Sequence, residues 1–196
     1  MVYPELKNAN ALLVSHNHRD HLDARWTADY LKVNSNSTFI TSSQVSDSVV
    51  NVFGLPQSRV VNLLPKMNEE MVTHSANGLD IRAWWIRHGG QQSYSLVNLC
   101  FLVEVAGKKI FAHGRFGVSR NFDKIDLTSE GIDLLLVPGW CLVRSEDVAV
   151  IQEKIKPKQI VSFHLLTGYE GRKAAILKNF PDVTFWYTPY EKITLK

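Results

Sequence analysis

Six consecutive residues, His16-Asn17-His18-Arg19-Asp20-His21, constrain this chain more than any other stretch. Three imidazoles and a carboxylate crowd together directly after the apolar run Ala11-Leu12-Leu13-Val14, and three of the seven histidines lie here. Imidazole nitrogen and carboxylate oxygen are the donors that a borderline divalent cation such as zinc prefers. If the apolar run is a strand, His16 and His18 project to the same side, because strand side chains alternate. Asp20 and His21 then come from the turn that follows, so one segment can serve two adjacent metal positions. The bland alternative is a polar loop that is His-rich by chance.

A chain of 196 residues suits one domain spanning 1–196, and its 45% hydrophobic fraction is that of a globular protein with a real core. The net charge of +3 is small, and acidic and basic residues are interspersed. Charge alone argues neither for nor against nucleic acid. No run approaches the roughly 18 apolar residues needed to cross a bilayer. With no basic stretch and apolar core of a signal peptide at the start, a cytoplasmic location is the default expectation. Cys100 and Cys141 have no CxxC partner, and Cys100 inside Leu99–Val103 reads as a small buried hydrophobe.

Short apolar runs alternate with helix-like stretches, the pattern of an α/β, layered protein. Strands are expected at Leu12–Ser15, Ser37–Thr41, Arg59–Leu63, Leu79–Arg87, Leu96–Val105, Lys108–Ala112, Ile132–Val137, Gln159–Phe163, Thr184–Tyr187 and Lys192–Leu195. Ala106-Gly107 reads as a hairpin turn. Helices are expected at Asp23–Leu31, with Asp23 as its cap, at Ser43–Phe53 ending on Gly54, at Ser145–Ile155 and at Gly171–Phe180. The recurring event is a strand end followed by a residue able to bind metal: His21, His88 and His164. Loops at strand ends are where layered folds usually assemble their sites. Taken alone, His88 reads as an exposed loop residue and His164 as a core histidine; the first cluster changes that reading.

The segment HNHRDH, with Leu22-Asp23 after it, resembles the HxHxDH signature of the metallo-β-lactamase superfamily. Arg87-His88-Gly89 resembles that superfamily's second His motif, and Lys109–Arg115 the strand leading to its Gly-Asp motif. Ile132–Pro138 resembles a strand of its second half, and Ile155–His164 the segment carrying its last ligand. Within the superfamily the chain is similar to stand-alone hydrolases related to ascorbate-6-phosphate lactonase and N-acyl phosphatidylethanolamine phospholipase D. The resemblance implies a four-layer αββα sandwich with metals at one edge of two packed sheets. It implies one or two zinc ions, the first held by His16, His18 and His88, the second by Asp20, His21 and His164. The chemistry it implies is hydrolysis by a metal-bound hydroxide, with Asp20 orienting or deprotonating the water.

Two departures stand against that pattern. Where the superfamily has an Asp bridging both metals, this chain has Arg115 after Gly114. A guanidinium stays protonated and cannot ligate a metal. At an effective dielectric near 20, its charge about 4 Å from a divalent ion costs roughly 8 kcal/mol before relaxation. Either Arg115 turns away, or the second metal is weakened or lost, or His113, Asp123 or Asp126 substitutes as a ligand. Turned inward, Arg115 would bind a substrate carboxylate or phosphate. The second departure is that only Met1–Asn10 precede the first motif strand, too little for the several strands expected there. A sheet edge or face left uncovered is costly and invites association, so the alternatives are a truncated gene product, an excised fragment, or a protomer whose partner in a homodimer covers the short sheet.

Two functions follow. The first is a zinc-dependent hydrolase acting on a small-molecule ester, lactone or phosphodiester, with Arg19, Trp26, Phe116, Trp140 and Tyr169 near the substrate. The second is a catalytically degenerate member of the fold that serves as a binding or interaction module. A nuclease is disfavoured, because no basic cluster or added nucleic-acid module is present.

Overall fold

A strand with apolar side chains on both faces needs a cover on both, and this chain supplies two covers. The computed structural model describes residues 6–67, 70–88, 95–114, 119, 122, 125–165, 170–188 and 191–195. The first part of the chain forms β1 (Ala11–Leu13), α1 (Ala24–Val33), β2 (Thr38–Thr41), α2 (Ser43–Phe53) and β3 (Val60–Asn62). The second part forms β4 (Met71–Ala76), β5 (Leu79–Ile86), β6 (Asn98–Val105), β7 (Lys108–Ala112) and β8 (Leu134–Pro138). It ends with α3 (Ser145–Val150), β9 (Gln159–Phe163), α4 (Glu170–Asn179) and β10 (Thr184–Phe185). Strands β1-β2-β3 make a parallel three-stranded sheet. The other seven make a mixed sheet in the order β10-β9-β8-β7-β6-β5-β4.

Three apolar clusters separate four layers. Leu31, Phe39, Val45 and Val49 pack α1 and α2 onto the outer face of the small sheet. Ile40, Leu63, Ile81, Ala83, Leu99 and Phe101 join the two sheets face to face. On the far side of the large sheet, Trp84, Cys100, Leu102, Phe111 and Leu135 meet Ile151, Ile155 and Ile176 of the second helical layer. Burying each such side chain contributes about 1.5–3 kcal/mol, which is why β6, buried on both faces from Asn98 to Leu102, lies inside the sheet between β5 and β7. This is the expected αββα sandwich of mixed α/β content. Cys100 and Cys141 are free and buried, and burial pushes the Cys100 thiol up to about 12. No described helix is long and apolar enough to cross a membrane.

Most expected elements are present within a residue or two, with local reasons. Asp23 Oδ1 accepts from Trp26 N (2.9 Å) and caps α1. Gly54 closes α2 in the left-handed conformation (φ 67°), where a side chain would be strained. Ala106 and Gly107 both have positive φ, as a tight hairpin between β6 and β7 requires. There are three differences. Strand β4 lies outside the strands expected from the sequence, yet it pairs antiparallel with β5 through Asn77-Gly78, both at positive φ. The helix expected over Ser145–Ile155 changes at Ile151 to a π-helical turn. The strand expected at Lys192–Leu195 is irregular chain over its described residues, with Thr194 O accepting from Gln159 Nε2 (3.3 Å).

The two sheets differ in width, and that leaves a mark. The small sheet covers β4, β5 and β6, and β1, one of its two edge strands among the described residues, borders a cleft of about 330 Å³. The cleft is lined by Leu13 and Val14 on one side and by Phe101, Ile110, Ala112, Leu136 and Phe163 of the large sheet on the other. At one end it reaches Ser15 and His21.

Candidate metal centre

Ion pairs gather where the parallel strands begin, and metal-capable residues gather where they end. At the beginnings, Lys158 Nζ lies 2.8 Å from Asp133 Oδ1. Arg82 and then Lys109 hold the Glu130 carboxyl down to about 2. At the ends, β1 runs into the histidine segment, β5 into His88, β7 into His113 and β9 into His164.

The histidine segment is fixed by both sheets. Val14 N donates to Ile40 O (3.4 Å), and Thr41 Oγ1 donates to Val14 O (2.7 Å). One residue later the chain crosses to the large sheet, where Leu99 N donates to Ser15 O (2.9 Å). His18 O then accepts from both His21 N and Leu22 N, each at 2.8 Å, so the segment turns sharply. Leu22 is buried beneath α1 and anchors the turn. His88 is positioned by its own strand. Trp85 Nε1 donates to Leu96 O (2.9 Å), and Gln44 Oε1 accepts from Val97 N (2.9 Å), tying the approach of β6 to the end of β5 and to α2.

Two trios result. His16, His18 and His88 bring their ligand atoms within 4.8 Å of one another, with ring centroids 4.5–4.8 Å apart. Asp20, His21 and His164 do the same. There Asp20 Oδ2 lies 3.2 Å from His164 Nε2 and 3.9 Å from His21 Nε2, and the two Nε2 atoms are 3.3 Å apart. Lone pairs of two imidazoles and a carboxylate at such distances repel unless a cation or a proton lies among them. Both donor sets, all nitrogen and oxygen, fit a divalent transition ion. The trios are neighbours, because the rings of His16 and His21 are 4.0 Å apart.

His164 carries a further mark. Its φ is 60°, a left-handed conformation that costs a residue with a side chain about 1–2 kcal/mol. Such strain collects at functional sites, and here it turns the imidazole at the end of β9 onto Asp20. Trp140 stands beside it, ring centroids 5.1 Å apart, so this aromatic residue is at the site. Arg19 lies exposed on the histidine segment. Trp26 is used differently: it stacks on Tyr30 in α1 (5.3 Å, 15°) and packs against the outer core.

Of the suggested substitute ligands, His113 and Asp126 join neither trio. The His113 ring packs between Phe111 and Phe122, centroids 6.3 and 6.1 Å away. Burial pushes its imidazole down to about 4, outweighing the opposing pull of the Gly114 backbone. Asp126 accepts from Thr128 N (2.9 Å) and Oγ1 (2.6 Å) and closes a turn. Arg115, Phe116, Asp123 and Tyr169 lie outside the described residues. Sequence reasoning missed Ser15 and Asn98. Ser15 Oγ lies 2.9 Å from His16 Nδ1 and 3.4 Å from His21 Nδ1. The fully buried Asn98 crowds Gly114 so closely that a Cβ there would stand 2.7 Å from Asn98 Oδ1. A polar residue opening the apolar strand β6 was the available signal.

No family model and no curated protein matches the chain in sequence. Solved structures do match in shape. Igni18, a metallo hydrolase from the archaeon Ignicoccus hospitalis KIN4/I, superposes with a TM-score of 0.63 at 13% identity, over 96% of this chain and 80% of that one. Isothiocyanate hydrolase from Delia radicum gut bacteria gives 0.63 at 16% identity, over 93% and 75%. The short form of human tRNase Z gives 0.58 at 11% identity, over 95% and 79%. Identities this low establish shape and not reaction, and what they establish together with the layers above is that the chain has the metallo-β-lactamase fold.

Proposed function

We propose that this protein is a metal-dependent hydrolase of an ester, lactone or phosphodiester in a small molecule. The observation that carries the reading is the pair of adjacent trios at the strand ends, each with three ligand atoms within 4.8 Å. Zinc is the ion that three imidazoles, or two with a carboxylate, suit well. A bound divalent cation would lower the pKa of a coordinated water toward neutrality and polarise the bond under attack. The chain's own residues supply the rest. Asp20 is exposed at the mouth of the second trio, where its carboxylate can orient the attacking water and accept its proton. Trp140 offers an apolar wall beside His164, and Arg19 a cation at the rim for an anionic group.

One sequence observation favours a second reading. Arg115 occupies the position where a bridging carboxylate is expected, so a degenerate site kept for binding is the alternative. A single experiment separates the two. The protein is purified in zinc-containing buffer, dialysed, analysed for metal, and assayed on p-nitrophenyl esters, a lactone panel and bis-p-nitrophenyl phosphate. One or two zinc ions per chain with turnover of any of these is expected. A protein that takes up no metal ends the hydrolase reading, and one that holds metal without turnover moves it to the binding module. The open cleft beside β1 favours self-association through that edge, and a monomeric mass in sedimentation would count against it.

A further inference from the structure

The Ser15 hydroxyl touches both trios, and neither the fold nor the metal donors require it to. Its Oγ lies 2.9 Å from Nδ1 of His16, in the first trio, and 3.4 Å from Nδ1 of His21, in the second. From these contacts we infer that Ser15 is a positioning residue shared by the two metal sites. The inference rests on the metal-dependent reading above and adds the group that sets the state of the ligands.

The argument is one of donors and acceptors. A neutral imidazole carries its proton on one nitrogen and its ligating lone pair on the other, and the partner of the first decides which is which. In His21 it is Nε2 that faces Asp20 and His164, so Nδ1 must hold the proton when that trio is loaded. The same assignment follows for His16, whose Nδ1 is turned to Ser15. A hydroxyl oxygen has two acceptor lone pairs and one proton. It can therefore accept from both Nδ1–H groups at once, fixing both rings with Nε2 toward the metals. When only the first trio is loaded, the hydroxyl proton is free to turn to Nδ1 of His21, which selects the tautomer that cannot ligate through Nε2. The second ion must reverse that bond, so the two sites are coupled through one oxygen.

The backbone makes the hydroxyl a rigid reference. Ser15 O is bonded to β6 through Leu99 N, and Val14 beside it is bonded to β2. The backbone at residues 14 and 15 is thus held between the two sheets, and this places the Ser15 side chain beside both rings.

The test compares wild type with Ser15→Ala and Ser15→Thr, using zinc titrated against a chromophoric chelator and imidazole 15N spectra of the loaded proteins. Ser15→Ala is expected to weaken both ions by about 10–100-fold, the usual effect of losing an outer-shell partner. In the spectra, loaded wild type is expected to show His16 and His21 protonated at Nδ1, with the signature of an Oγ partner lost in Ser15→Ala. Ser15→Thr, which keeps the hydroxyl, is expected to restore affinity to within about threefold, a rescue that a merely structural role would not give. Equal melting temperatures of the metal-free proteins exclude misfolding as the cause. Wild-type affinities in Ser15→Ala would overturn this inference alone. A wild type that binds no zinc would overturn the hydrolase reading and this inference with it.

Discussion

His16 and His88 are shielded from solvent, at 0 and 8% exposure, whereas Asp20 in the neighbouring trio is 39% exposed at its side chain. The buried trio is drawn from a segment bonded to both sheets and from the end of β5. The open trio depends on an exposed carboxylate and on His164 in a left-handed conformation. Each difference bears on affinity. Ordering an exposed side chain costs roughly 1 kcal/mol, and the strain at His164 about 1–2 kcal/mol more if it relaxes without metal. Since 1.4 kcal/mol is tenfold, these two costs favour the buried trio by about 30–150-fold. The Asp20 charge works the other way, but its exposure to water weakens that attraction. One end of the site is thus shielded from water and the other open to it.

The sharpest way to break that comparison is to strike each trio in turn. His88→Ala removes a buried imidazole from the first trio. It is expected to weaken the first ion by more than about 100-fold, read by metal analysis after dialysis against a competing chelator. Asp20→Asn keeps the shape of the open trio and removes its charge. It is expected to cost at most one ion per chain, with about 10–100-fold in affinity for that ion and a much smaller change for the other. If Asp20→Asn strips both ions, or His88→Ala strips only one and leaves the tighter, the two trios are not the unequal sites described above.

The grouping of metal-capable residues was legible in the sequence where one segment carried them, and thinned out where distant strands had to meet. Four of six metal-capable residues sit in HNHRDH, and the strand before it explains their direction. His88 and His164 were legible because each follows a strand end, although the left-handed backbone that aims His164 has no sequence mark on a histidine. Ser15 was passed over because a serine beside a histidine is commonplace; only the turn at His18 brings His21 back to it. The four layers followed from alternating strands and helices. What escaped was β4, whose residues alternate between exposed and half-buried and so lack an apolar stripe, even though Asn77-Gly78 announces the hairpin. A strand at the edge of a sheet has little to bury, and its pattern fades accordingly.

His113 sharpens the comparison from outside it, because it ends a neighbouring strand and serves neither trio. Its folded pKa of about 4 lies below the ordinary histidine value, with burial as the cause. A depressed histidine works against the fold in acid: the unfolded chain takes up the proton near pH 6.5, and the native protein refuses it until about pH 4. Stability contributed at neutral pH is therefore lost as pH falls across that window, at about 1.4 kcal/mol per unit, or roughly 3 kcal/mol in all. His113→Leu removes the proton uptake while keeping an apolar side chain between Phe111 and Phe122. Urea unfolding of the metal-free proteins at pH 7 and pH 4.5 isolates the effect, because the two proteins differ only at residue 113. The variant is expected to lose less stability on acidification than wild type by about 2–3 kcal/mol, with its zinc content unchanged. Identical acid losses would mean that His113 is protonated in the native protein, and a drop in zinc would place it at the metal centre after all.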